Sequence, residues 1–326
     1  MRLRSLEPHW ILVGTFFAAG VFLGSLGVYL WLNATYPQLQ KIHGGAGGGY
    51  KYINPLLAVE LIQSEQFAQN RTLQPKMEGL INARKADGAI TKASIYFRDL
   101  EPGIWAGVSQ DNKFSPGRLL KIPIMIAYFK LAQNDPSVLQ QNITFYGKDT
   151  GNMGETMRNG QTYTAEELIR RMIVFSNDQA ANLLFDNIDK SILNEVFSDL
   201  SIDFKEDKGT ADFISVKLYS LFYRVLYNST YLEREYSEKA LGLLAESNNP
   251  FGLAIALPKD VPIANLLGYR SVGKNLLEVF DCGIVYYPKH PYLLCVTAQG
   301  GHLDRLKSFL KEVSTAIYEE MNYQYH

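Results

Sequence analysis

The chain has 326 residues, 47% of them hydrophobic, and a formal net charge of −1 with acids and bases interspersed, which suits one large domain plus an anchor. Nothing in it resembles the basic excess of a nucleic-acid surface. The five histidines show no i, i+4 pair or Cys/His cluster, so neither a metal site nor a cofactor is expected.

In chain order, residues 1–9 carry Arg2 and Arg4 ahead of Trp10–Leu32, a run without a charged residue. As a helix that run would reach about 34 Å, enough for a bilayer core of about 30 Å. The basic flank predicts a cytoplasmic N-terminus and a main domain outside the cell membrane. A cleaved signal peptide is the alternative, but the run is long for one and lacks a small-residue cleavage pattern. Residues 33–53 read as a linker, with His43-Gly44-Gly45-Ala46-Gly47-Gly48-Gly49 at its flexible centre. Residues 54–326 form the domain.

Within the domain, helical patterns cover about 55–68 and 74–86. A hairpin follows, from Ala93–Asp99 through Glu101-Pro102-Gly103 to Ile104–Val108. Leu119–Leu131 is apolar on nearly every side and predicts a buried central helix, with Pro123 removing one hydrogen bond and bending it. Thr164-Ala165-Glu166-Glu167 fits a capping box. Further helices are expected around 179–188, 212–226 and 237–246. Val261–Gly268, Val279–Tyr287 and Tyr292–Ala298 read as strands, and His302 to about Met321 as a long helix. Cys282 and Cys295 fall in the last two strands and read most simply as buried thiols, with a disulfide across the hairpin as the alternative. The order gives an α+β fold: an antiparallel sheet flanked by helices, with an all-helical lobe inserted between the early hairpin and the late strands.

Several stretches carry more than periodicity. Phe114-Ser115-Pro116-Gly117-Arg118-Leu119-Leu120-Lys121, Gly160–Leu168, Ser176-Asn177-Asp178, Leu266-Leu267-Gly268 and Asp281–Tyr286 together resemble the class A β-lactamase and penicillin-binding transpeptidase family, and more closely a membrane-anchored bacterial branch of these serine hydrolases. The resemblance covers roughly residues 54–322. Ser271-Val272-Gly273-Lys274 and Ser308-Phe309-Leu310-Lys311 also match S-x-x-K but lack a following buried helix.

The resemblance implies a nucleophilic serine and a proton-shuttling lysine at the first motif. Here the serine position is Arg118 and the lysine is Lys121. A guanidinium cannot be that nucleophile, and Ser115, three residues upstream, is expected to point elsewhere. The family's S-D-N motif falls on Ser176-Asn177-Asp178 with its last two residues exchanged. Asp178 then stands where a neutral amide would hold substrate, and an ion pair with Arg118 across the cleft is expected; the plainer reading of Ser-Asn-Asp is a helix cap. The family's carboxylate-attracting lysine is Leu266, while Gly268 keeps the close approach of the strand. Arg270 is either a substitute cation or an ordinary strand-end arginine. The acidic stretch holding Asp203, Glu206, Asp207 and Asp212 reads as a solvated turn rather than a deacylating site.

Loss of such a nucleophile costs on the order of 10⁶ in rate. The first expectation is therefore a membrane-anchored pseudo-hydrolase that binds a cell-wall (peptidoglycan) peptide, a β-lactam-like ligand or a protein partner through the old cleft, with acidic ligands favoured by Arg118 and Lys121. An active hydrolase using Ser176 with Lys121 as base is the second. A structural packing module with an occluded cleft is the third.

Overall fold

The computed structural model describes residues 50–54, 70, 72–101, 103–115, 117–149, 156–204, 212–247 and 251–325. The expected span at 10–32, most of the linker and the first helical pattern at 55–68 lie outside these residues. Among the described residues no helix is long and apolar enough to cross a membrane.

A five-stranded antiparallel sheet forms the centre, in the order β2-β1-β9-β8-β7. Its strands are β1 (Lys92–Asp99), β2 (Trp105–Val108), β7 (Ile263–Val272), β8 (Leu276–Val285) and β9 (Tyr292–Gly300). The period-2 alternation of each strand sorts side chains to two faces. Leu266, Cys282, Cys295 and Tyr96 form one row across the sheet, and Leu267, Asp281, Val296 and Ile95 form the next. The second row packs against α1 (Leu73–Ala86) and α8 (Leu303–Tyr325), through Leu73, Met77, Phe309 and Val313. The first row packs against the helical lobe. Cys282 and Cys295 stand directly opposite each other with Cα atoms 4.0 Å apart, and their sulfurs are bonded. The reading as two thiols is thus corrected to the disulfide.

The lobe lies between β2 and β7 in sequence, as the order of elements implied. Around it run two-residue strands β3 (Lys113–Phe114) and β6 (Ile214–Ser215), which pair with each other, and the short pair β4 (Asn142–Thr144) and β5 (Thr162–Thr164). Its helices are α2 (Lys121–Asn134), α3 (Ala165–Val174), α4 (Asp178–Asn187), α5 (Lys190–Asp199), α6 (Val216–Tyr227) and α7 (Arg234–Ala245). α2 is buried continuously from Lys121 to Phe129, as expected of a run without a polar face. The capping box on α3 forms, with Thr164 Oγ1 accepting from the Glu167 N–H and Glu167 accepting from the Thr164 N–H. The helix α5, capped by Asp189, was not foreseen.

Pro123 falls in the early turns of α2 and removes one backbone donor, as expected. It is the third residue of α2, inside the first turn, where backbone N–H groups lack helical acceptors and proline is tolerated. The carbonyl four residues earlier, that of Leu119, accepts a hydrogen bond from the Tyr219 hydroxyl at 2.8 Å. A tyrosine from α6 thereby replaces the donor that proline lacks, and it pins the turn that leads into the helix. Burial raises the Tyr219 pKa well above the ordinary phenol value, so the hydroxyl keeps its proton.

The compact unit begins at Tyr50, slightly earlier than the boundary at 54 read from sequence. The carboxylate of Glu238 on α7 accepts from the backbone N–H groups of Lys51, Tyr52 and Ile53 at 2.5, 2.7 and 3.0 Å. Asn54 N–H donates to the Tyr227 carbonyl at 2.7 Å. The last residues of the presumed linker are therefore bound to the helical lobe.

Candidate active site

The first motif sits where a 3₁₀ turn, Gly117–Leu120, runs into α2. Arg118 lies in this turn; its side chain is outside the described residues. The segment is held from several sides. Phe114 and Phe280 pack as a tilted ring pair at 5.1 Å between ring centres, Tyr219 meets Phe280 at 5.0 Å, and the Phe213 N–H donates to the Phe114 carbonyl. Gly117 adopts φ +48°, in the left-handed region that suits glycine. A Cβ built there would meet Arg270 Cδ at 3.7 Å, so the first and third motifs face each other.

Lys121, the first residue of α2, has a side chain only 2% exposed. Its Nζ lies 2.7 Å from the Ser176 carbonyl oxygen, 3.0 Å from Ser176 Oγ and 2.9 Å from Asp178 Oδ1. Two hydrogen-bond acceptors and one ion-paired carboxylate thus surround the ammonium. Their placement follows from the chain at the start of α4. Asn177 caps that helix by accepting from the Ala180 N–H at 3.0 Å, which leaves Asp178 at the first helical position. Ser176 takes φ +51°, a conformation that costs a non-glycine residue about 1–3 kcal/mol and is found most often at functional sites. Since Asn and Asp are equally good caps, exchanging them preserves the helix while it puts a carboxylate beside the lysine. Asp178 is thus ion-paired with Lys121; the pair expected between Asp178 and Arg118 involves a side chain outside the described residues.

Gly117, Leu120, Lys121, Ile124, Asp178, Ala181, Asn182 and Phe185 line a cavity of about 140 Å³ between α2 and α4. Its walls are largely apolar, with Lys121, Asp178 and Asn182 as polar groups.

The third motif lies on β7, an edge strand of the sheet. Leu266 is 2% exposed and packs among the helical-lobe side chains, so no charge stands where the family has its lysine. Arg270 does not replace it freely. Its Nε and a terminal nitrogen each lie 2.7 Å from Glu278 Oε2, and Asp212 is 3.7 Å away. Ser115, with Phe114, Leu119, Gly268, Tyr269, Arg270, Glu278 and Phe280, lines a recess of about 20 Å³, room for about one water, whereas Lys121 and Asp178 line the larger cavity. The Ser115 Oγ is buried without a hydrogen-bond partner among the described residues. Sequence spacing could not show this, because the direction of a loop side chain has no period. Asp203 lies in a described loop, whereas Glu206 and Asp207 are outside the described residues.

The structure brings Lys121, Ser176 and Asp178 into direct contact, and sets Gly268 and Arg270 against the turn that holds Arg118. An antiparallel sheet, a buried helix opening with a lysine, and a serine from the lobe within 3.0 Å of that lysine define the scaffold of a penicillin-recognising serine hydrolase. A family model described as the beta-lactamase enzyme family matches residues 73–321, and the chain belongs to that family. Among solved structures it resembles PBP-A in its acyl-enzyme complex with penicillin G, at 20% identity and TM-score 0.67 over 79% of this chain and 98% of that one. It also resembles a β-lactamase from Xanthomonas campestris (18% identity, TM-score 0.64, 75% and 97% covered). A class A β-lactamase from Mycobacterium abscessus is similar to the same degree (17%, 0.63, 75% and 98%). At these identities the likeness is one of fold. No curated protein sequence matches the chain.

Proposed function

We propose that the chain is a membrane-anchored, extracytoplasmic pseudo-hydrolase that binds a cell-wall peptide in the cleft between β7 and α2 without cleaving it. The observation that carries this reading is the surroundings of Lys121. Its nitrogen is matched by three oxygens, one from a carboxylate, where an active relative needs an amine able to take a proton from serine. With Arg118 in place of that serine, the cleft has neither nucleophile nor base. An edge strand beside it leaves backbone groups open to an extended peptide, which can add as a further strand. The preference for acidic ligands holds unless Asp178 neutralises the cations, and Asp178 and Glu278 do pair with Lys121 and Arg270, which weakens that preference. The core disulfide supports a location outside the cytoplasm, where thiols are oxidised. The apolar run at 10–32 supports the anchor.

The test is intact-mass spectrometry of the full chain in detergent after incubation with penicillin G and, separately, a fluorophosphonate. No mass shift is expected, while soluble wall peptides should perturb the NMR signals of residues on β7. A covalent adduct would overturn the proposal.

One contact favours a second reading. Ser176 Oγ lies 3.0 Å from Lys121 Nζ, so Ser176 is the best placed hydroxyl for an active acyl hydrolase. In that case an adduct would map to Ser176, and Ser176→Ala would abolish it. The cavity of about 140 Å³ weighs against a filled, purely structural cleft.

A further inference from the structure

We infer that Asp178 is a second block on acyl transfer, independent of Arg118: it holds Lys121 as an ammonium, so that restoring the serine alone does not restore the reaction. The inference rests on the inactive reading above and deepens it. Acylation by a β-lactam requires a serine Oγ to bond to the lactam carbonyl carbon while its proton leaves. The lactam C–N bond then breaks and its nitrogen takes that proton, so the adduct keeps the whole mass of the drug. The lysine must be neutral to accept the proton in passing. Here Nζ is almost wholly buried and 2.9 Å from Asp178 Oδ1, with the two Ser176 oxygens at 2.7 and 3.0 Å. Neutralising the amine would leave the Asp178 carboxylate and the two Ser176 oxygens with one donor fewer than they have now. An opposite charge at this distance favours the charged form, and each tenfold change in the neutral fraction corresponds to one pKa unit.

The arrangement also explains how the exchange of Asn177 and Asp178 could occur without loss of the fold. Asn177 serves as the helix cap, and the carboxylate displaced by one residue meets the lysine. Asp178 acts on the reaction only through Lys121 and is a positioning residue.

The experiment compares the full chain carrying Arg118→Ser with Arg118→Ser/Asp178→Asn, treated with penicillin G and followed by intact mass across pH 6–10. The single variant should acylate negligibly at neutral pH and gain rate only toward alkaline pH. The double variant should acylate at least about tenfold faster at pH 7, with its rise in rate moved down by at least about one pH unit. Equal rates and profiles in the two would overturn the inference while leaving the inactive reading intact, as would a folded double variant as inert as the single one. Acylation of the unsubstituted chain would instead overturn the inactive reading. If Arg118→Ser does not fold, the Lys121 side-chain resonance is titrated in the native sequence and in Asp178→Asn. An unchanged midpoint would overturn the inference by a route that needs no serine.

Discussion

At the residue scale, two acids behave in opposite ways. Asp178 is partly exposed and paired, so removing it takes the charged partner from Lys121. Asp178→Ala should destabilise the domain by about 2–4 kcal/mol, since it leaves Lys121 buried with a lost partner; Lys121→Met in the same background should recover much of that loss in urea unfolding. Asp281 is fully buried, accepts from the Leu253 N–H and the Asn265 amide at 2.8 Å each, and has its pKa pushed up to about 7 by burial. Its folded pKa lies above its unfolded one. The protonated form is therefore favoured by folding, and the associated stability is complete below about pH 4 and lost as pH rises through 7. Up to about 4 kcal/mol should disappear across that window. Melting temperatures measured from pH 4 to 8 should fall accordingly in the native sequence and stay flatter in Asp281→Asn. A native profile as flat as that of the variant would refute this account.

Elements show how far patterns along the chain reach. The buried run at 119–131, the capping box at Thr164 and the three late strands were all legible, because each follows from burial periodicity or from cap chemistry within a few residues. α5 was legible too and was missed: Asp189 is a cap, and Ile192, Leu193, Val196 and Phe197 mark one helical face. The two-residue strands β3 and β6 carry no period that could announce them. For the site, alignment of motifs found Lys121 and Ser176, yet their contacts depend on two helices distant in sequence. That is why the contact between Lys121 and Asp178 was not read from the sequence. The Tyr219 hydroxyl is the clearest case of a partner that no local pattern could supply, since it lies 100 residues from the Leu119 carbonyl it serves. Tyr219→Phe should leave that carbonyl short of a donor and cost about 1–3 kcal/mol. Hydrogen exchange at residues 119–124 should accelerate in the variant, and unchanged exchange would show that the turn needs no such anchor.

On the scale of the whole molecule, the disulfide and the bound strap at 51–53 hold parts that the sheet alone would not fix. Cys282 and Cys295 are separated by 13 residues, and closing a loop of that size contributes about 3 kcal/mol in the chain-entropy picture. Replacing both with alanine should lower the unfolding free energy by about 2–4 kcal/mol, and reductant should shift the native melting curve but leave the double variant unmoved. The ion pair at the mouth of α2 has a consequence for descent as well as for chemistry. On the inactive reading proposed above, regaining a serine at position 118 with the carboxylate in place would confer no activity on which selection could act, and losing the carboxylate first would leave the buried ammonium without its ion-paired partner. On that reading each single step back would give an inert or weakened protein, so the pair would work as a ratchet that leaves the cleft to be refined as a receptor with no short path to an enzyme.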